Sequence, residues 1–583
     1  MRRALTLVLI ACAVRGAMPP ASRLRVAVVQ MALGPSLESN RDRIVSWTAQ
    51  AAARGARVAV FPEGALSARS ETPQGDVPAA VGRVRAAARA GNLYVLFGGW
   101  TWSERHKRNF NWMKVIAPDG REVLHYDKLW EIHDAPTPAL FFLDGVPASV
   151  ILCADRWLRA VEDLPVQRGA LISFELSNNF DVEWVPELEW YWYVPRALRN
   201  SVWVVFANTG NPSPGEADPG LGIGRRHGHS AIIAPDGSLL VAERSDTETM
   251  LVADLDISRA TRAEALARGR HPVLGRFWRA GLEILSGQVV STPPLAQKDS
   301  ATTDLSVAAA QIPESVDVAR NAAAMIEKIA EAARRGADLV AFPELVLTGG
   351  RLAPAEGGLQ PVCQAAKAYR IAVVFGAPWR DGDAWRNSAF VVGPEGTILT
   401  RYDQLAARTP FAPGTKPAAM WFQVKGVPAV VTIGREALWN EIAELAAVAG
   451  ARLHVNISRE PIPGPADVLR RRQIGAALGS FGTLTIMANA GGHSAIWDDL
   501  RGGEEARAVV RGLPPPDAWQ ARIFSPFSAN LVVEAGAEPQ LILAKRRIPG
   551  KNAYHPQRTA NYHPAMRSWY ELGASLLSGR SGG

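Results

Sequence analysis

Cysteine is scarce in this chain: three residues in 583, at Cys12, Cys153 and Cys363. None belongs to a Cys-x-x-Cys pair and none joins histidine at zinc spacing. A disulfide framework and a structural zinc site are therefore excluded, whereas a single nucleophilic thiol is not. Long apolar runs are missing too. No stretch approaches about 18 uninterrupted apolar residues, so no spanning membrane segment is expected. Neither sign of charge dominates: 64 Lys and Arg against 56 Asp and Glu leave +8, a mild excess at this length. The basic residues are scattered. Their densest run, Arg470-Arg471-Arg472, has no aromatic interleaving, so no nucleic-acid partner is expected. With 48% hydrophobic and 21% charged residues, the chain is also neither disordered throughout nor collagen-like.

The N-terminus differs from the rest. Arg2-Arg3 precede an apolar run from Ala4 to Val14, which resembles a short secretory signal, and Leu9-Ile10-Ala11-Cys12 looks like a bacterial lipobox. The other reading is a start assigned upstream of Met18. The chain is exported, periplasmic or lipid-anchored if the signal is real, and cytoplasmic otherwise. Residues 1–20 are set apart from the fold on either reading.

The chain repeats itself once. Gln30 recurs as Gln311, Phe61-Pro62-Glu63 as Phe342-Pro343-Glu344, Gly145-Val146-Pro147-Ala148 as Gly426-Val427-Pro428-Ala429, and Ala207-Asn208 as Ala488-Asn489, all at an offset of 281. Gly228-His229-Ser230-Ala231-Ile232 returns in the same order as Gly492-His493-Ser494-Ala495-Ile496. A shared offset means two copies of one domain. The expected divisions are 23–290, a Pro- and Ser-containing linker over 291–303, 304–560, and a C-terminal tail over 561–583. Within each copy β-rich runs alternate with helical periodicity. Leu24–Gln30 is followed by a helix over Asn40–Ala53 with Ile44, Trp47, Thr48 and Ala51 facing inward, then by a short strand over Arg57–Phe61. Such alternation predicts an α/β layered architecture.

Three polar residues of the first copy fall at strand ends, where α/β folds place chemistry. Glu63 follows Val58–Phe61, Lys128 follows Val123–Asp127, and Cys153 closes Ser149–Leu152. A carboxylate can take a thiol proton, and an ammonium group favours thiolate and stabilises an oxyanion. Taken singly, each is more commonly a loop charge or a small core residue; the constellation is what points to covalent hydrolysis.

These segments, Phe61-Pro62-Glu63, Tyr126-Asp127-Lys128-Leu129 and Ile151-Leu152-Cys153-Ala154-Asp155-Arg156, resemble the three signatures of the nitrilase, or carbon–nitrogen hydrolase, superfamily. The resemblance covers about residues 23–260 and, more weakly, 304–550. It implies two tandem αββα sandwiches. Domains of this kind pair sheet-to-helix into dimers, so an intramolecular pseudo-dimer is expected, with further oligomers open. It implies a catalytic triad of Glu63 as general base and acid, Lys128 as oxyanion stabiliser and Cys153 as nucleophile, with the Ala154 backbone N–H in the oxyanion hole. It implies no metal and no organic cofactor. The substrate would be a small amide, nitrile or carbamoyl compound.

Members often carry a second glutamate between Lys and Cys. Here that loop is short, and Glu131 is the one carboxylate that could substitute. The second copy has Glu344, Gln404 and Gly434 at the triad positions, and Glu436 in place of Asp155. It has neither ammonium nor thiol, and reads as a pseudoenzyme that buttresses the first copy. Trp157, Trp184, Trp190, Trp192, Tyr191 and Tyr193 line either the pocket mouth or a packing layer, and packing is favoured. Gly220-x-Gly222-x-Gly224 reads as a flexible loop, and His227 and His229 lack a third metal ligand. Two other functions stay open: a non-catalytic binding or scaffold protein, and acyl transfer to an amine.

Overall fold

The structure, a computed structural model, describes residues 21–67, 76–104, 107–129, 139–180, 183–212, 225–286, 301–500, 530–550 and 564–579. The signal segment, most of the linker, Glu131 and the Gly220–Gly224 loop lie outside these residues.

Each half is built on two sheets. In the first half, one sheet runs in the order Thr249–Asp256, Arg23–Gln30, Val58–Val60, Tyr94–Ser103, Arg108–Ile116, Glu122–Asp127. The other runs Leu239–Ala242, Ala231–Ile233, Trp203–Asn208, Ile172–Ser177, Val146–Leu152, Leu140–Leu143. The central strands of both are parallel and the outer ones antiparallel. Parallel strands covered on both faces need apolar residues at every position, and the period of two then divides them between two cores. Val26, Val28, Val58 and Val60 face the other sheet and pack with Val150, Phe174 and Val205. Ala27, Val29, Ala59 and Phe61 face the helices Leu37–Ala53 and Val77–Gly91. The outer face of the second sheet packs Val204, Phe206, Ala231 and Ile233 on the helix Tyr193–Asn200. The result is the expected αββα sandwich.

The first helix starts at Leu37, three residues before the periodicity suggests, because the Ser36 hydroxyl caps it by accepting from the Ser39 N–H. Its buried residues are Leu37, Asn40, Ile44, Thr48 and Ala51; Trp47 lies at the edge and donates to Glu248.

The second half repeats the plan with sheets Ile398–Asp403, Ala384–Val392, Ala372–Asp381, Leu339–Ala341, Thr303–Ala310, Leu541–Ile548 and Trp421–Val424, Val427–Ile433, Leu453–Ser458, Leu484–Asn489, Ala495–Asp498, Leu531–Glu534. The two halves join into a pseudo-dimer through one continuous core that includes Leu164, Phe277, Trp278, Leu445 and Trp569. The Phe277 and Trp569 rings stack at 4.4 Å, and Trp569 Nε1 donates to the Phe277 carbonyl at 2.6 Å. Two expectations are corrected here. The seam is helix on helix, not sheet to helix. The segment 561–583, expected as a tail, forms a helix over Pro564–Ser578 whose Trp569 and Leu577 are fully buried. Its apolar face has nowhere to go except the seam.

Candidate functional site

Glu63 sits in the turn after Val58–Val60. The turn lies flat on the neighbouring strand because residue 98 is glycine: a Cβ there would stand 2.8 Å from Glu63 Cα. Lys128 follows the edge strand Glu122–Asp127, and its Nζ donates to Glu63 Oε1 at 2.6 Å with both side chains buried. Cys153 opens a short 3-10 turn, Cys153–Trp157, directly after Val146–Leu152. Its φ is +47°, a left-handed conformation that costs a non-glycine residue about 1–2 kcal/mol. The turn lifts Cys153 out of the sheet, and the residue as a whole is half-buried. Ala154, next in the turn, is buried.

Several neighbours fix this arrangement. Asp155 Oδ2 accepts from the Tyr126 hydroxyl at 2.7 Å and from the Leu129 N–H at 3.2 Å, so the cysteine turn holds the chain on both sides of Lys128. Arg156 donates from Nε to the Cys153 carbonyl at 3.0 Å, and from Nη2 to Asn179 Oδ1 at 2.7 Å and to Cys153 Sγ at 3.6 Å. It is paired with the fully buried Glu175 at 3.2 Å. The Cys153 thiol donates to Asn179 Oδ1 at 3.6 Å.

The ammonium group that the sequence places near the thiol, and that favours thiolate, does not decide its resting state. Burial, reinforced by the Glu63 carboxylate, pushes the Cys153 thiol up to about 12, against the opposing pull of Lys128 and Arg156. The thiol is thus protonated at rest, and desolvation outweighs the two cations. Glu183 is a further carboxyl in the same environment. Burial raises it to about 7, the Arg156 cation opposes this, and Glu63 adds to it. Its Oε2 accepts from the Phe180 N–H at 2.7 Å.

The sequence reading gives no role to Arg156, Glu175, Asn179 or Glu183. One signal for the first two does exist: at the offset of 281 the second half has Ala437 and Asn456. The ion pair is replaced on both sides, together with the ammonium and the thiol. In the second half the backbone of the site persists. Gly434 has φ +52°, and a Cβ on it would lie 2.7 Å from Glu344 Oε2 and 3.4 Å from Gln404 Nε2. The three positions converge there without Lys or Cys. Cys363 is buried in the helix Glu356–Tyr369, far along the chain from these turns.

The aromatic residues mostly pack. Trp190 and Tyr193 are buried against the outer sheet face and Tyr191 enters the seam core. Trp157 and Trp192 meet edge-to-face at 4.5 Å. Trp184 stacks on His229 at 3.7 Å. His227 is buried and held well below the usual histidine range by desolvation. Among the described residues no group of His, Cys, Asp and Glu is arranged to hold a metal ion, and no helix is long and apolar enough to cross a membrane.

A pair of αββα sandwiches, one with a buried Lys–Glu pair beside a cysteine on a strand-end turn, defines a hydrolase of the nitrilase type. The chain belongs to the carbon-nitrogen hydrolase family, whose profile matches residues 25–265 and 306–500. It is a carbon–nitrogen hydrolase. It is 26% identical over 275 residues to the Mycobacterium tuberculosis protein Hydrolase Rv0480c, a match covering 43% of this chain and 94% of that one. Among solved structures it is similar to Saccharomyces cerevisiae Nit3, a member of branch 10 of the nitrilase superfamily, at 17% identity and a TM-score of 0.36, covering 43% of this chain and 95% of Nit3. It is also similar to an amidase from Nesterenkonia sp., at 19% identity and a TM-score of 0.35, covering 46% of this chain and 97% of the amidase.

Proposed function

We propose that the first half alone hydrolyses a non-peptide carbon–nitrogen bond of a small amide, nitrile or carbamoyl compound, through a thioester on Cys153. For an amide, Glu63 takes the Sγ proton as sulfur attacks the carbonyl carbon. Lys128 and the Ala154 N–H stabilise the oxyanion. The C–N bond breaks as Glu63 returns the proton to nitrogen, releasing ammonia or an amine. Water, deprotonated by Glu63, then attacks the thioester, and the thiolate leaves and regains its proton. A thiol held protonated at rest fits this order, because the base acts only when an electrophile is in place.

The observation that carries this reading is the buried Lys128–Glu63 contact of 2.6 Å beside Cys153, set against Gln404 and Gly434 at the matching places of the second half. The reading predicts ammonia release in a screen of small amides and nitriles, falling to background in Cys153→Ala. Equal release by both proteins would exclude the proposed nucleophile.

A further inference from the structure

A chain of buried ion pairs leads from the cysteine turn to the seam. Arg156 pairs with Glu175, Glu175 with Arg196 at 2.5 Å, and Arg196 with Glu162 at 2.6 Å. Glu162 also meets Arg199, which reaches Asp163 at 3.3 Å. Asp163 lies 2.7 Å from Arg159 and 3.7 Å from Arg268. Among the described residues of the first half, this network holds five guanidinium groups and three carboxylates. Within these ion pairs that is an excess of two positive charges, offset only in part by Glu183 beside Arg156, in a place where almost every member is buried. Buried charge without a partner is costly.

The second half supplies two carboxylates. Glu444 meets Arg159 at 2.5 Å, and Glu441 meets Arg268 at 3.3 Å and Arg159 at 3.9 Å. Asn440 accepts from Arg159 Nη2 at 3.1 Å. The two halves are not alike here. At the offset of 281, Arg159, Arg196 and Arg199 correspond to Asn440, Ala477 and Ser480, while Asp163 corresponds to Glu444 and Ala160 to Glu441. The seam cations come from one half and the compensating acids from the other. Two first halves facing each other would set arginines against arginines, so this division also favours pairing within the chain.

We propose that Glu441 and Glu444 are positioning residues for the nucleophile: they neutralise the network that holds Arg156 against Cys153, so the site in the first half takes part of its charge balance, and with it the potential at sulfur, from the second. This rests on the reading of Cys153 as the nucleophile. It gives the copy without the triad a stated task.

The test is the rate of Cys153 alkylation by iodoacetamide in the full-length chain at fixed pH, assigned by peptide mass mapping, with circular dichroism reporting the fold. Glu444→Gln removes a negative charge and raises the positive potential at sulfur, so alkylation speeds up about threefold. Arg159→Gln does the reverse and slows it about threefold, and the double variant returns close to wild type. Loosened packing would speed both single variants. Shifts of the same direction in both, or none in folded chains, would overturn the proposal. Glu441→Gln with Arg268→Gln repeats the test at the other contact and replaces the first pair if those variants do not fold. Alkylation needs no substrate, so an absence of ammonia release would count against the hydrolytic reading and leave this measurement intact.

Discussion

Gln30, Asn208 and Ser230 have counterparts in Gln311, Asn489 and Ser494 that make the same bonds. Gln30 Oε1 accepts from Ser230 N at 2.9 Å, as Gln311 Oε1 does from Ser494 N, also at 2.9 Å. The Asn208 and Asn489 N–H groups each donate to the serine hydroxyl at 3.0 Å. What both halves share is scaffold; what only the first half holds is Lys128, Cys153 and the Arg156–Glu175 pair. Glu344 is the exception, a carboxyl retained without partners for chemistry. Burial pushes it up to about 7, opposed by the hydrogen bond from Asn387 Nδ2 at 2.6 Å. An unfolded chain loses that proton near the ordinary glutamate value, while the folded chain keeps it until about pH 7. Stability therefore falls as pH rises across that interval, and the loss is complete above it. Glu344→Gln has no such proton. Its expected thermal unfolding matches wild type near pH 4 and is more stable by about 1–3 kcal/mol at pH 8. A difference that does not change with pH would contradict the assignment.

The turns that carry Glu63 and Cys153 depend on backbone features that the sequence only hints at. Phe-Pro-Glu is visible as a motif, but the glycine that makes room for it lies 35 residues later, at Gly98, and recurs at Gly376 beneath Glu344. Gly98→Ala is expected to destabilise the fold by about 1–3 kcal/mol and, by displacing Glu63, to lower ammonia release at least about tenfold. Unfolding and activity measured on the same preparation check this; normal activity would mean the turn tolerates displacement. The parallel strands were legible because each is a short apolar run between turn signals. The bounds of the first two shifted by one residue and the strand read from Ser149 begins three residues earlier, at Val146, since hydrogen bonding, not composition, ends a strand. The helix Pro564–Ser578 was hidden because its apolar face has meaning only once the seam exists.

Across the whole molecule, the repeat offset was enough to predict two copies of one α/β domain, and the family resemblance was what made each of them a sandwich. The seam was not legible. Nothing local in the sequence says that Arg159, Arg196, Arg199 and Arg268 are buried with Glu441 and Glu444. Glu183 was missed for a similar reason: it follows Cys153 by 30 residues and reaches the site only through the fold. The candidate triad stood out because its members close strands, and that is a property of the chain itself. Chemistry confined to one sulfur of one half is the central claim. The direct measurement is peptide mass mapping of the full chain, acid-quenched during turnover of an amide substrate. The account predicts one substrate-derived acyl group, on the Cys153 peptide and nowhere in residues 304–560. An acyl group mapped to any other residue would contradict it.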